Sequence, residues 1–355
     1  MKRLFFLLAL CIVLCGCDSV FDGSYHSRTF HEEQGSHIQA ATITATDIES
    51  LQAVMEDLVA TGTANAVIDV TEFDADNVQS VMSSVSEYIC TSYPLGAWAV
   101  DEVSFEIGNS GSMQAISVSI SYLHSRAQIY RVQTVADIES AAAAIGQALS
   151  GCETGLVLLV EQYEKTDFAQ LAADFADENP NQVMELPQVL AGVYPEKGVS
   201  RVVELNFTYQ TSRDALRNMQ EQVQPVFSAA RLYVSSDGSD LQKFSQLYSF
   251  LMERFDYTLE TSITPAYSLL SHGVGDSKAF ATVYAAMCRR SDLECLVITG
   301  TRDGEPWTWN MICHDGTYYH LDLLRSTAEG GFTELTDDDM EGYVWDYSAY
   351  PKAGK

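Results

Sequence analysis

A stretch of about 85 residues occurs twice in succession, which limits the first two thirds of the chain to one supersecondary unit built two times. Thr46-Asp47-Ile48-Glu49-Ser50 reappears as Ala136-Asp137-Ile138-Glu139-Ser140, and an apolar-patterned helix follows each. Asn65-Ala66-Val67-Ile68-Asp69-Val70 and Gly155-Leu156-Val157-Leu158-Leu159-Val160 come next and read as buried strands. A second helix is expected over 76–90 in the first copy and 167–177 in the second. Each copy closes on an alternating strand, over 115–122 and 201–209, and then reaches Ser-Arg at Ser125-Arg126 and Ser212-Arg213. The copies are offset by 90 residues at the start and 87 at the end. The expectation is two small α+β modules, over 41–130 and 131–235. The second includes a connector with a helix over 214–224. Neither copy carries a catalytic constellation, so both read as binding or spacer units.

The N-terminus has a different character. Lys2 and Arg3 precede an apolar run over 4–14. That run suits a signal peptide but is too short to cross about 30 Å of hydrocarbon. It ends in Leu14-Cys15-Gly16-Cys17, which resembles the bacterial lipobox. The resemblance implies removal of residues 1–16 and a diacylglyceryl group on Cys17. The membrane would then be a partner through that lipid, with the protein on the outer, extracytoplasmic face of a bacterial membrane. Two acyl chains anchor stably where one is marginal, since each buried methylene adds about 0.8 kcal/mol. Residues 17–40 read as the lipidated end and a polar tether. The irregular spacing of His26, His31 and His37 suits a solvated linker rather than a metal site. No later segment is apolar enough to span a membrane.

Charge narrows the partners further. The chain has 49 acidic and 20 basic residues and a formal net charge of −29, and losing Lys2 and Arg3 with the leader makes it more negative. Such a surface repels nucleic acid and anionic headgroups, so no nucleic-acid partner is expected. Asp337-Asp338-Asp339 lacks the spaced ligands of an EF-hand loop. Cys90, Cys152, Cys288, Cys295 and Cys313 show no zinc spacing. No metal and no cofactor are expected. The five cysteines read as isolated thiols, with room for one disulfide among the last three.

The last third has a recognisable order. Ser239-Asp240-Leu241-Gln242 has capping-box spacing, and the residues behind it place Leu241, Phe244, Leu247, Tyr248 and Leu251 on one face. Gly273-Val274-Gly275-Asp276-Ser277 is a small-residue turn before a helix over 278–290. Strands are expected over 293–300, 307–313 and 318–323, with a turn at His314-Asp315-Gly316. The tail holds Tyr343-Val344-Trp345-Asp346-Tyr347.

This order resembles the transglutaminase-like superfamily, with its papain-type cysteine-protease fold, over residues 236–351. In active members a cysteine at a helix start is the nucleophile, a histidine on the next strand is its base, and an aspartate on the following strand orients the histidine. Here the cysteine position matches Ser277, the histidine position Trp307 and the aspartate position Asp322. Trp309 and Asn310 fit the Trp-Asn that follows the histidine. The resemblance therefore implies a degenerate domain over 236–355, a pseudoenzyme whose cleft binds peptide, protein or cell-wall glycan as a scaffold. Trp309, Asn310 and Tyr318 are candidate cleft residues. The alternative is a hydrolase or acyltransferase using a rearranged Ser277–His320–Asp322 set, because residues two apart on a strand leave the same face. His314 is expected to be solvated in its turn. The fold class is α+β throughout: two duplicated modules followed by a transglutaminase-like domain.

Overall fold

The computed structural model describes residues 43–110, 113–259 and 262–354. The expected leader, Cys17 and the tether lie outside the described residues. Among the described residues no helix is long and apolar enough to cross a membrane.

The first repeat runs β1 (Ile43–Thr44), α1 (Ile48–Ala60), β2 (Asn65–Asp69), α2 (Val78–Thr91), α3 (Pro94–Ala99), β3 (Val100–Ser110) and β4 (Met113–Tyr122). The second runs α4 (Arg126–Ile129), β5 (Gln133–Val135), α5 (Ile138–Ser150), β6 (Gly155–Val160), α6 (Phe168–Glu178), β7 (Gln188–Tyr194) and β8 (Arg201–Thr208). The two sheets have the same strand order, β1-β2-β4-β3 and β5-β6-β8-β7. Their directions also agree: a parallel first pair, then two antiparallel pairs. Register follows the sequence offsets, with Asn65 opposite Ser119 in one sheet and Gly155 opposite Asn206 in the other.

The repeated motifs are helix caps. Asp47 accepts the Ser50 amide at 2.8 Å, and Asp137 accepts that of Ser140 at 2.8 Å. Ser125 and Ser212, which end the copies, also cap helices, but α4 stops after one turn. The helix that Ser212 caps, α7 (Arg213–Tyr233), runs 21 residues. It continues past Pro225, well beyond the expected end at 224. A proline inside a helix costs about 3 kcal/mol or more. Beyond it, Phe227 and Ala230 are buried in the core of the C-terminal part, and that burial carries the helix onward. By packing, the chain leaves the second sheet at about Ser212, and the connector expected over 214–235 is this one helix. Strands β3 and β7 and the short α3 were not among the expected elements, although β3 alternates Val103, Phe105 and Ile107 with Ser104 and Glu106.

The C-terminal part contains α8 (Asp240–Met252), β9 (Asp256–Tyr257), α9 (Pro265–His272), β10 (Val274–Gly275), α10 (Ser277–Arg289), β11 (Cys295–Arg302), β12 (Glu305–His314), β13 (Thr317–Leu321), α11 (Leu323–Ala328) and β14 (Tyr343–Val344). Asp303-Gly304 and Asp315-Gly316 join β11, β12 and β13. All four of these residues have positive φ, the paired left-handed geometry of tight antiparallel hairpins. The sheet order is β13-β12-β11-β14. Helix α10 lies on one face, and every residue from Ala279 to Cys288 is buried. A helix apolar all round belongs in an interior. The tail covers the other face, where Trp309, Met311, Leu335 and Trp345 form a separate core. The cysteines among the described residues are free thiols, so the disulfide expected among Cys288, Cys295 and Cys313 is absent there.

Asn310 ties α10 to the sheet. It is fully buried and donates to the Ala281 carbonyl at 2.9 Å and the Leu296 carbonyl at 3.3 Å. Asn310→Ala removes both bonds and is expected to destabilise the fold by about 1–3 kcal/mol. In urea unfolding the midpoint should fall with the slope unchanged.

Candidate functional site

Three elements converge on one spot. Gly275, at the end of β10, packs against Leu269 and Ala279, where a Cβ would press at 3.1 Å. Asp276 then caps α10, its carboxylate accepting the Ala279 amide at 2.8 Å. Ser277 is the first helical residue, half-buried, and its Oγ accepts the Thr308 amide of β12 at 3.3 Å. Next to Thr308, the half-buried Trp307 donates its indole N–H to Asp322 Oδ2 at 2.9 Å.

Asp322 sits at the end of β13 and is 1% exposed. Its Oδ1 caps α11 by accepting the amides of Leu324 at 3.0 Å and Arg325 at 3.2 Å. Its Oδ2 also accepts from the Tyr343 hydroxyl at 2.6 Å and faces Arg302 Nη1 at 3.4 Å. Burial, and then the Asp322 charge, push the Tyr343 phenol well above its ordinary range, so it stays protonated and donates. The Arg302 guanidinium lies 5.3 Å from the Trp307 ring centre and 5.5 Å from that of Tyr343. Tyr257 approaches Trp307 with ring centres 5.7 Å apart. Arg302, Tyr257 and Tyr343 were not singled out as site residues from the sequence, where nothing ties 257 and 302 to Trp307.

The structure thus brings together the three positions that match a cysteine–histidine–aspartate triad, but as Ser277, Trp307 and Asp322. An indole N–H is a donor only. It replaces the donor that an imidazole offers the aspartate, and it supplies no lone pair to take the Ser277 proton.

The rearranged set is not assembled. His320 is fully buried; its Nδ1 lies 3.1 Å from the Trp309 indole nitrogen and its Nε2 lies 3.0 Å from Asp337 Oδ1. Because the Trp309 N–H can only donate, Nδ1 must accept and Nε2 must carry the proton. Both ring nitrogens are therefore occupied, and no hydrogen bond joins His320 to Ser277 or Asp322. The same-face expectation fails because β13 ends at Leu321 and Asp322 already belongs to the helix cap.

Other expectations also need correction. Trp309 is 1% exposed and packs in the tail-side core, and Asn310 is a buried tie, so neither lines a cleft. Tyr318 pairs with Cys313 at the far end of β12 and donates to Glu294. Six residues of strand, roughly 20 Å, separate Cys313 from Trp307. His314 is not solvated: it stacks on Tyr319 and contacts Glu334. Cys288 and Cys313 are poor substitutes as nucleophile. Burial and the neighbouring Cys295 push Cys288 far up, and burial and Glu294 push Cys313 up. Among the described residues no cluster of histidine, cysteine and carboxylates could hold a metal ion.

Residues 228–323 match the transglutaminase-like superfamily, so the C-terminal part of the chain carries a transglutaminase-like domain. The match begins inside α7, earlier than the boundary expected at 236. Three solved structures share slight overall similarity. A TGase is 10% identical, with 80% of this chain and 59% of that one covered and a TM-score of 0.27. A candidate cysteine protease from Cytophaga hutchinsonii is 11% identical, with 44% and 70% covered and a TM-score of 0.27. A candidate protease from Parabacteroides distasonis is 8% identical, with 72% and 39% covered and a TM-score of 0.24. The chain therefore spans well under two thirds of the TGase it matches. No curated protein is detectably similar to it.

The His320 geometry has a pH consequence. Burial holds its pKa below the ordinary 6.5, only partly opposed by Asp337. The folded state therefore binds the proton less readily than the unfolded chain. The resulting stability is fully present above about 6.5 and is lost as pH falls through that value toward the lower folded one. The urea midpoint should drop between pH 7 and pH 5, and His320→Gln should flatten that drop relative to the parent. Equal slopes in the two proteins would contradict this account.

Proposed function

We propose that the transglutaminase-like domain is a non-enzymatic recognition module in an extracytoplasmic lipoprotein, which lipid on Cys17 holds to the outer face of a bacterial membrane. The domain acts as a scaffold that binds a peptide or a cell-wall component at the Ser277–Trp307 site. One observation carries this reading: Trp307 donates to Asp322 at 2.9 Å where a base would stand. A serine hydroxyl is a weak nucleophile without a base. Nucleophile and base act as a unit, so lacking both the thiol and the imidazole removes most of the catalytic advantage. What remains suits binding. Trp307 and the 39%-exposed Tyr257 present ring surface beside the Arg302 cation, and the start of α10 offers backbone donors.

The domain should not react with a fluorophosphonate at Ser277. Turnover of a peptide or amide substrate that disappears in Ser277→Ala would overturn the reading. Rebuilding the two missing groups should restore reactivity. In Ser277→Cys/Trp307→His, iodoacetamide should alkylate residue 277 faster at pH 7 than in Ser277→Cys alone, with an apparent thiol pKa below the ordinary value of about 8.5. For the anchor, Cys17→Ser should move the protein from the membrane fraction to the soluble fraction. Mass spectrometry of the parent's N-terminal peptide should show a diacylglyceryl adduct.

A further inference from the structure

A second cavity lies away from the degenerate triad, where the two repeats meet. It has a volume of about 690 Å³, within the usual range of small-molecule sites of roughly 300–1,000 Å³. Its floor is the pair β6–β8, where Gly155 faces Asn206 and Val157 faces Glu204. Gly155 leaves that floor open, since a Cβ there would meet nothing closer than 3.5 Å. Trp98 of α3 forms one wall; Arg131 and Gln133 stand on another, and Gln147 of α5 closes the rim.

Two properties of this lining point to a ligand. The first is unspent hydrogen-bonding capacity. Glu204, half-buried one residue from the core position Leu205, makes no side-chain hydrogen bond or ion pair with the described protein, and the exposed Arg131, Gln133, Gln147 and Asn206 around it are likewise open to a ligand. Trp98 is 2% exposed and its indole N–H has no acceptor, which is rare for a buried donor. The second is charge. Glu153, also on the lining, already pairs with Arg213. The free charges are one guanidinium and one carboxylate, which cancel. An anion is further disfavoured by a chain of net charge −29. A ligand that fits carries no net charge and donates and accepts at closely spaced points, as vicinal hydroxyls do. We infer that the junction of the repeats is a saccharide-binding site, with Arg131 and Glu204 as its charged hydrogen-bonding partners and Trp98 as its wall.

The test uses the full chain, titrated calorimetrically with tri-N-acetylchitotriose and with maltotriose, and with tri-alanine as a zwitterionic peptide counterpart. At least one trisaccharide should bind and tri-alanine should not. Both Glu204→Ala and Arg131→Ala should weaken that binding by about tenfold or more, the loss of one charge-assisted hydrogen bond. Arg131 is exposed, so Arg131→Ala alone decides the matter if Glu204→Ala fails to fold. Arg131 and Glu204 line the junction and not the Ser277–Trp307 site, so a loss of affinity in their variants separates the two sites. Binding of neither trisaccharide at millimolar concentration, binding of tri-alanine instead, or trisaccharide binding untouched by Arg131→Ala would each overturn the inference.

Discussion

The buried carboxylate of Asp322 holds the C-terminal site together. An isolated charge in an interior is very costly, so it must be paired and hydrogen-bonded on all sides. Here those partners come from four directions: the β11 cation Arg302, the β12 indole Trp307, the β14 phenol Tyr343 and the first amides of α11. Removing the carboxylate would leave a cation and two donors unmatched, and a helix uncapped. Asp322 therefore has a structural duty that does not depend on catalysis. An aspartate can persist at this position although nothing near it takes a proton from Ser277.

Trp307 keeps a contact to Asp322 that an imidazole in its place could also make. Toward Asp322, an imidazole and an indole do the same job, each offering one N–H. They differ on the opposite side, where the imidazole has a lone pair and the indole has carbon. An indole here keeps the bond to Asp322 and offers no lone pair beyond it. Ser277 fits the same logic. Its hydroxyl is used by the Thr308 amide, a bond that helps dock the start of α10 against β12.

Much of this was legible in the sequence, and the misses have physical causes. The caps Asp47, Asp137 and Ser239 announce their helices because a cap is a local bond between neighbours in the chain. Ser277, Trp307 and Asp322 were located by the resemblance to the transglutaminase-like order of turn, helix and strands, in which each triad position has a fixed place. His320, Trp309 and Tyr318 were misplaced because strand alternation gives the face of a side chain but not its depth. Trp307 and Trp309 leave β12 on the same side, yet one stands at the strand's end and the other lies beneath the tail, 1% exposed. Arg302 and Tyr257 are brought to Trp307 by tertiary contact, 45 residues apart from each other in the chain, and no local pattern encodes that meeting.

The duplication is exact in topology but not in environment. In the second sheet, the face bearing Val202, Glu204 and Asn206 turns toward the first repeat: Val202 is fully buried in the first repeat's core, and Val157 packs against it. The register makes Ala115, Ser117 and Ser119 the matching residues of the first sheet, with Val67 matching Val157. There Val67 is 52% exposed and both serines are exposed. The same strand pattern thus faces a neighbouring module in one copy and, at Ser117 and Ser119, solvent in the other, and serines stand where the covered face has glutamate and asparagine. Only the covered face has a wall opposite it. The cavity over Gly155 and Glu204 therefore lies at the junction of the two sheets, where the first repeat supplies the opposing wall.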